Sequence, residues 1–218
     1  MNKIKGAIFD MDGTLLNSMN YWATVAEEFL EKNDLLSRAG DNRRFLEWGM
    51  KEFYNYAVRE LGLTLTFEET HKQMYDIIAY HYENDVSVKS GVINMLDTFL
   101  SRGVRMCLAT ATDRFMVERV LSRLGIEKYF SRIFTTGEVG VGKAQPVIYE
   151  LALEHLGTTK DDTYVFEDAY YAITTAHNAG FLVAAVEDKN VFVSKDEILS
   201  LCDIYLSEEN GYDISSLI

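Results

Sequence analysis

Short apolar runs alternate with longer helical patterns through most of this chain, and that alternation limits the possible folds more than any other feature. Runs at 4–9 (IKGAIF), 104–109 (VRMCLA), 133–136 (IFTT), 163–166 (TYVF) and 181–186 (FLVAAV) read as buried strands, with a weaker sixth at 203–206 (DIYL). Between them, 92–102, 113–124, 146–156 and 169–179 carry apolar residues at helical spacing. Each of these helical patterns ends at or just before a glycine, namely Gly103, Gly125, Gly157 and Gly180. Glycine is the residue that most easily takes the left-handed conformation that closes a helix. Strands that alternate with helices in this way predict a parallel sheet with helices on both faces.

The stretch 17–88 breaks the rhythm. Segments 19–32, 43–61 and 67–82 read as three long amphipathic helices with no strand between them. Their aromatic residues, among them Trp22, Phe29, Phe45, Trp48, Phe53 and Tyr56, fall at helical spacing and read as the core of a small bundle. The expected fold class is therefore α/β: a Rossmann-like parallel sheet with helices on both faces, plus an inserted all-α cap domain. The core, catalytic domain takes 1–16 and 89–218, and the cap takes 17–88. Two chain crossings, near 16–18 and 87–91, join the parts and are hinge candidates.

Charge excludes some partners. Thirty-four acids against twenty-one bases leave a formal charge of −13. A surface of that sign repels a phosphate backbone, so no nucleic-acid partner is expected. Segment 187–218 holds eight acids and two lysines and reads as a solvated face. No run approaches the ~18 apolar residues of a membrane span, and the first apolar run is too short for a signal peptide. A cytoplasmic protein with no membrane partner is expected. The two cysteines, Cys107 and Cys202, are unclustered and offer neither a disulfide framework nor a zinc site. Cys107 lies in an apolar run and reads as a small buried hydrophobe.

The polar residues of interest share one location. In open parallel sheets, ligands bind outside the carboxyl ends of the strands. The first strand ends in Asp10-Met11-Asp12-Gly13-Thr14, two carboxylates followed by a glycine that permits a tight turn. An Asx-type turn with solvated aspartates is the alternative there. A calcium loop would need an acid where Tyr21 stands. The second strand ends at Thr110-Ala111, where the hydroxyl could instead cap the next helix, a role also open to Asp113. Lys143 precedes the helix after the third strand and could instead be solvated. The fourth strand ends in Glu167-Asp168, of which Asp168 could be a helix cap. Together these positions offer carboxylates for a hard divalent cation, with a hydroxyl and an ammonium for phosphate. The spacing of Gly137 to Gly142-Lys143 matches a nucleotide P-loop, but Ala144 stands where a serine or threonine must hold the metal, and Glu138 would oppose an anion.

The segments FDMDGTLLNS (9–18), LATAT (108–112), GKAQPVIYE (142–150) and VFEDAYYAITTAHNAG (165–180) resemble, in order, the motifs of the haloacid dehalogenase-like superfamily. The resemblance is to the branch with a helical cap inserted after the first motif, near the β-phosphoglucomutases and small-molecule phosphatases. It implies that Asp10 is the nucleophile that becomes an aspartyl phosphate. Asp12 would protonate the leaving oxygen, then activate water, and its carbonyl would ligate Mg²⁺. Thr110 and the amide of Ala111 would hold phosphate oxygens and Lys143 would neutralise them. Asp10 and Asp168 would ligate the metal, with Glu167 a ligand directly or through water. These residue types suit the chemistry, because a carboxylate needs no base to attack phosphorus once its repulsion with the phosphate is relieved.

The resemblance thus implies a Mg²⁺-dependent phosphatase acting on a small phosphorylated metabolite, with a phosphomutase of the β-phosphoglucomutase type as one alternative and a catalytically inactive phosphometabolite-binding protein as another. Asn17, Ala144 and Ala169 depart from the family pattern without removing a chemical group. Where mutase members carry a histidine in the first cap helix, this chain has Trp22, which favours the phosphatase. Arg43 and Arg44, in the cap, are candidate substrate contacts because their forks suit a second anionic or polyol group; a solvated pair at a helix start is the alternative. A monomer or weak dimer is expected.

Overall fold

The computed structural model describes residues 3–40, 45, 48–189 and 193–218. The chain divides into two compact units, Met1–Asn17 with Val86–Ile218, and Ser18–Asp85.

The larger unit is built on a six-stranded sheet of β1 (Gly6–Phe9), β2 (Arg105–Thr110), β3 (Ile133–Thr135), β4 (Thr163–Glu167), β5 (Leu182–Val186) and β6 (Ile204–Leu206). Their order is β3-β2-β1-β4-β5-β6 and every pair is parallel. Each strand coincides with a run expected from sequence to within two residues at either end. Side chains alternate between the two faces of a strand. Ile8, Cys107, Val165 and Val183 pack with Ile148, Tyr149 and Ala152 of one helix and Ile173 and Ala176 of another. Phe9 and Phe166 stack at 4.3 Å, and both meet Phe99 of a further helix. Both faces are therefore covered, as a parallel sheet requires. Cys107 is buried as expected, and burial pushes its thiol up to about 12. Gly6 is required by a close approach: a Cβ there would lie 2.6 Å from Thr163 Oγ1 on the neighbouring strand.

The inserted unit contains α1 (Met19–Lys32), α2 (Met50–Tyr56) and α3 (Phe67–Asn84). Phe29, Leu30, Phe45, Phe53, Ala57 and Leu61 form its core. Thr66 and Glu69 close a reciprocal capping box at the start of α3. The second helix departs from expectation. α2 starts at Met50, where Gly49 is extended and its amide donates to Glu52 at 3.1 Å, which makes Gly49 its cap and breaks the expected 43–61 helix there; the expected start near 43 lies outside the described residues. From Ala57 to Leu61 it widens into a π turn and stops at Gly62, which is left-handed. Arg43 and Arg44 lie outside the described residues.

The two crossings pair with each other on the side of the larger unit. Leu16 bridges Val88, the Asn17 amide donates to Ser87 O at 2.8 Å, and the Lys89 amide donates to Leu15 O at 2.9 Å. The remaining helices of the larger unit are α4 (Val92–Ser101), α5 (Arg114–Leu124), α6 (Thr136–Val139), α7 (Val147–Leu156), α8 (Tyr170–Asn178) and α9 (Lys195–Leu199). One acid of the C-terminal segment corrects the reading of a solvated face. The Asp188 side chain is 8% exposed and pairs with the buried Lys89 at 3.2 Å, while Lys89 also donates to Glu187 O at 2.7 Å. Among the described residues, no helix is long and apolar enough to cross a membrane.

Candidate active site

β1 and β4 lie side by side, so their carboxyl ends present Asp10 and Glu167-Asp168 at one place. The Asp10 amide continues the ladder, donating to Phe166 O at 2.9 Å. The chain then turns back on itself. Gly13 takes φ +79°, the amides of Leu15 and Leu16 both donate to Met11 O, and Gly13 donates to Leu16 O. A side chain at 13 would be strained there. This turn brings Thr14 to the second acidic pair, where its hydroxyl donates to Asp168 Oδ1 at 3.1 Å.

Lys143 reaches in from the loop before α7. Its ammonium donates to Asp10 Oδ1 and, at 2.7 Å, to Glu167 Oε1. It is therefore not solvated. The same Glu167 oxygen accepts the Tyr149 hydroxyl at 3.1 Å. The other, Oε2, accepts the amides of Asp168 and Ala169 at 3.0 and 3.1 Å. Glu167 thus holds the turn before α8, and Asp168 is not the cap: Ala169 occupies that position.

Asp10, Glu167, Asp168 and Lys143 are each 5% exposed or less. Each of the three acids offers an oxygen within 4.8 Å of the other two. Burial pushes the Asp10 carboxyl up to about 7, with Glu167 and Asp12 adding to the rise and Lys143 opposing it. Burial, then the charge of Glu167, holds Asp168 well above the usual carboxylate range. Burial favours the neutral amine of Lys143, but the charges of Asp10 and Glu167 outweigh it and raise its value. Tyr149 is raised well above its ordinary value, chiefly by burial, and stays a donor. Three acids share one ammonium in a water-poor place, so the cluster takes up protons or a cation more readily than free carboxylates do. Its hard oxygen donors and excess negative charge suit a divalent metal.

The second strand supplies the other half of the site. Thr110 does not cap α5; its Oγ1 accepts the Thr112 amide at 3.1 Å, and Asp113 occupies the cap position without a side-chain bond. Ala111 is exposed on the same turn. Asp12 does not join the three clustered carboxylates. Its Oδ2 accepts the Thr112 hydroxyl at 2.6 Å. The segment that mimicked a P-loop contains the short helix α6, with Glu138 paired to Arg114 at 2.6 Å.

Sequence reasoning named Asp10, Asp12, Thr110, Ala111, Lys143, Glu167 and Asp168, and it missed three partners. Thr14, Thr112 and Tyr149 all stand inside the motif segments. Their contacts span 154, 100 and 18 positions, so no local pattern announces them.

Residues 7–186 match the family described as haloacid dehalogenase-like hydrolase. The chain is 26% identical to the "Phosphorylated carbohydrates phosphatase" of Thermotoga maritima over 177 residues, 81% of this chain and 82% of that protein. It is 28% identical to the "Phosphoglycolate phosphatase" of Pectobacterium atrosepticum, covering 83% and 79%. A β-phosphoglucomutase-like protein of Thermotoga maritima superposes with a TM-score of 0.85 at 23% identity, over 99% of this chain and 100% of that one. CbbY of Rhodobacter sphaeroides, solved with phosphate, gives 0.75 at 20% identity over 97% and 100%. At these identities the two structures speak to the fold alone.

Proposed function

Because the chain belongs to the haloacid dehalogenase-like hydrolase family, we propose that it is a phosphatase that hydrolyses a small phosphate monoester through an aspartyl phosphate at Asp10. The observation that carries this reading is the buried cluster of Asp10, Glu167 and Asp168 at the carboxyl ends of adjacent strands, with Lys143 paired to the first two.

Asp10 attacks phosphorus, the bond from phosphorus to the ester oxygen breaks, and that oxygen takes a proton from Asp12. Water then attacks the phosphorus of the aspartyl phosphate and gives a proton back to Asp12. The bond to Asp10 breaks, and inorganic phosphate and a free carboxylate remain. Thr110 and the Ala111 amide hold phosphate oxygens. Lys143, already charged and buried beside Asp10, offsets the repulsion between nucleophile and phosphate. Asp10, Asp168 and the Asp12 carbonyl would hold Mg²⁺, with Glu167 bound directly or through water. That ion supplies further positive charge to the transferring group, for which positioning and neutralisation are most of catalysis.

Trp22 supports hydrolysis over mutase chemistry. Its indole N–H donates to Tyr82 O–H at 3.0 Å, and indole offers no basic nitrogen for the role histidine has in mutases. The name of the Thermotoga relative points to phosphorylated carbohydrates as the substrate class; Arg43 and Arg44 are proposed as contacts to the remainder of the molecule.

The test is release of p-nitrophenol from p-nitrophenyl phosphate. Activity is expected with Mg²⁺, is expected to vanish with a chelator, and is expected to fall by more than about 10⁴-fold in Asp10→Asn. A wild-type protein that binds phosphate with Mg²⁺ but turns nothing over would support the binding-protein alternative.

A further inference from the structure

The turn after β2 carries two functions in three residues. Thr110 and Ala111 are the proposed phosphate contacts. The next residue, Thr112, is 7% exposed and donates its hydroxyl to Asp12 Oδ2 at 2.6 Å. The Thr112 amide in turn donates to Thr110 Oγ1 at 3.1 Å, so the hydroxyl is aimed by the same turn that meets the phosphate. A 2.6 Å O–H···O contact to a carboxylate lies in the short, strong class of hydrogen bonds. Asp12 has two oxygens, and this contact occupies Oδ2 as an acceptor.

We propose that Thr112 is a positioning residue for Asp12, holding Oδ2 so that Oδ1 faces the departing ester oxygen when phosphate occupies the turn. This rests on the reading of Asp12 as the acid. In the step concerned, the bond from Asp10 to phosphorus forms and the bond from phosphorus to the ester oxygen breaks. The ester oxygen takes the proton from Asp12 Oδ1, and Asp12 becomes a carboxylate that still accepts from Thr112. A bond to a charged acceptor is stronger than one to a neutral acceptor. The contact therefore gains strength as the proton leaves, and it lowers the barrier where departure of the leaving group depends on an acid.

The experiment compares kcat/KM for p-nitrophenyl, phenyl and benzyl phosphate, whose leaving groups range from good to poor, in the Mg²⁺-loaded enzyme. kcat/KM covers the steps up to departure of the leaving group. Thr112→Val keeps the shape and removes the hydroxyl. It is expected to lose about 10- to 100-fold on benzyl phosphate and no more than about threefold on p-nitrophenyl phosphate. Thr112→Ser is expected to restore benzyl phosphate turnover to within about threefold of wild type. An equal loss on all three substrates, or failure of serine to restore, would overturn the proposal. Should Thr112→Val not fold, Thr112→Ala carries the same comparison. Asp12→Ala separates the two layers. A graded loss in Asp12→Ala with a flat loss in Thr112→Val sinks only the role of Thr112, whereas a flat loss in Asp12→Ala sinks the acid assignment itself.

Discussion

In the helical unit the interior is apolar, and aromatic rings meet within it among aliphatic side chains. Phe53 stands edge-on to Phe29 at 5.8 Å and to Phe45 at 5.4 Å, and Trp48 meets Tyr56 at 5.2 Å. At the carboxyl ends of β1 and β4 the interior is made of charge, with three clustered carboxylates, two of them paired with one ammonium. Ring packing stabilises the fold directly, through buried area and edge-on contacts. Buried like charges oppose folding unless something neutralises them. Such a cluster beside a well-packed sheet suits a ligand that neutralises it, and on the proposed function stability and activity should respond oppositely to changes in the two places.

The largest separation is expected between Asp10→Asn and Phe53→Ala. Asp10→Asn should abolish turnover yet leave the melting temperature of the metal-free protein unchanged or higher, since one buried charge is gone and Lys143 retains Glu167. Phe53→Ala should destabilise by about 3–5 kcal/mol while Mg²⁺ affinity, read by calorimetry on the folded protein, stays within about twofold. A melting temperature that falls as far in Asp10→Asn as in Phe53→Ala would break the comparison.

A smaller effect should appear on changing pH. Without metal, the Asp10 carboxyl stands at about 7, against an ordinary 3.8. Between those values the folded chain binds more protons than the unfolded one, so stability falls as pH rises through that window. Saturating Mg²⁺ should flatten this slope, because the cation replaces the proton. The helical unit has its own titration at His81, whose two ring nitrogens meet Glu28 at 2.8 Å and Asp85 at 2.7 Å. Burial opposes the charged ring, but those carboxylates outweigh it and raise the value above 6.5. That contribution is fully present below 6.5 and is lost as pH rises through the raised value. Melting curves of His81→Gln should lack the upper loss and keep the lower slope; Mg²⁺ should do the reverse.

Much of this was legible because it is local. The four glycines that end helical patterns, Gly103, Gly125, Gly157 and Gly180, all take positive φ. The strands follow from short apolar runs, and the clustering of Asp10 with Glu167 and Asp168 follows from where two of those runs end. The break at Gly49 was not legible, because a glycine cap whose amide donates to Glu52 competes with an apolar pattern that continues upstream. Asp188 looked solvated because nothing near it in sequence announces Lys89, 99 positions away. Thr112 and Tyr149 lay in plain view inside their motifs, but the partner of Thr112 is set by the pairing of β1 with β2, and that of Tyr149 by the packing of α7 on the sheet.

The covalent intermediate is the central claim, and it can be caught directly. The enzyme is mixed with p-nitrophenyl phosphate and Mg²⁺, quenched in acid within one turnover and treated with borohydride, which reduces an acyl phosphate to an alcohol. Peptide mass spectrometry should then find homoserine in place of aspartate at position 10, in wild type and not in Asp10→Asn. Unmodified Asp10 in an enzyme that has released p-nitrophenol, or homoserine at any other aspartate, would contradict the assignment.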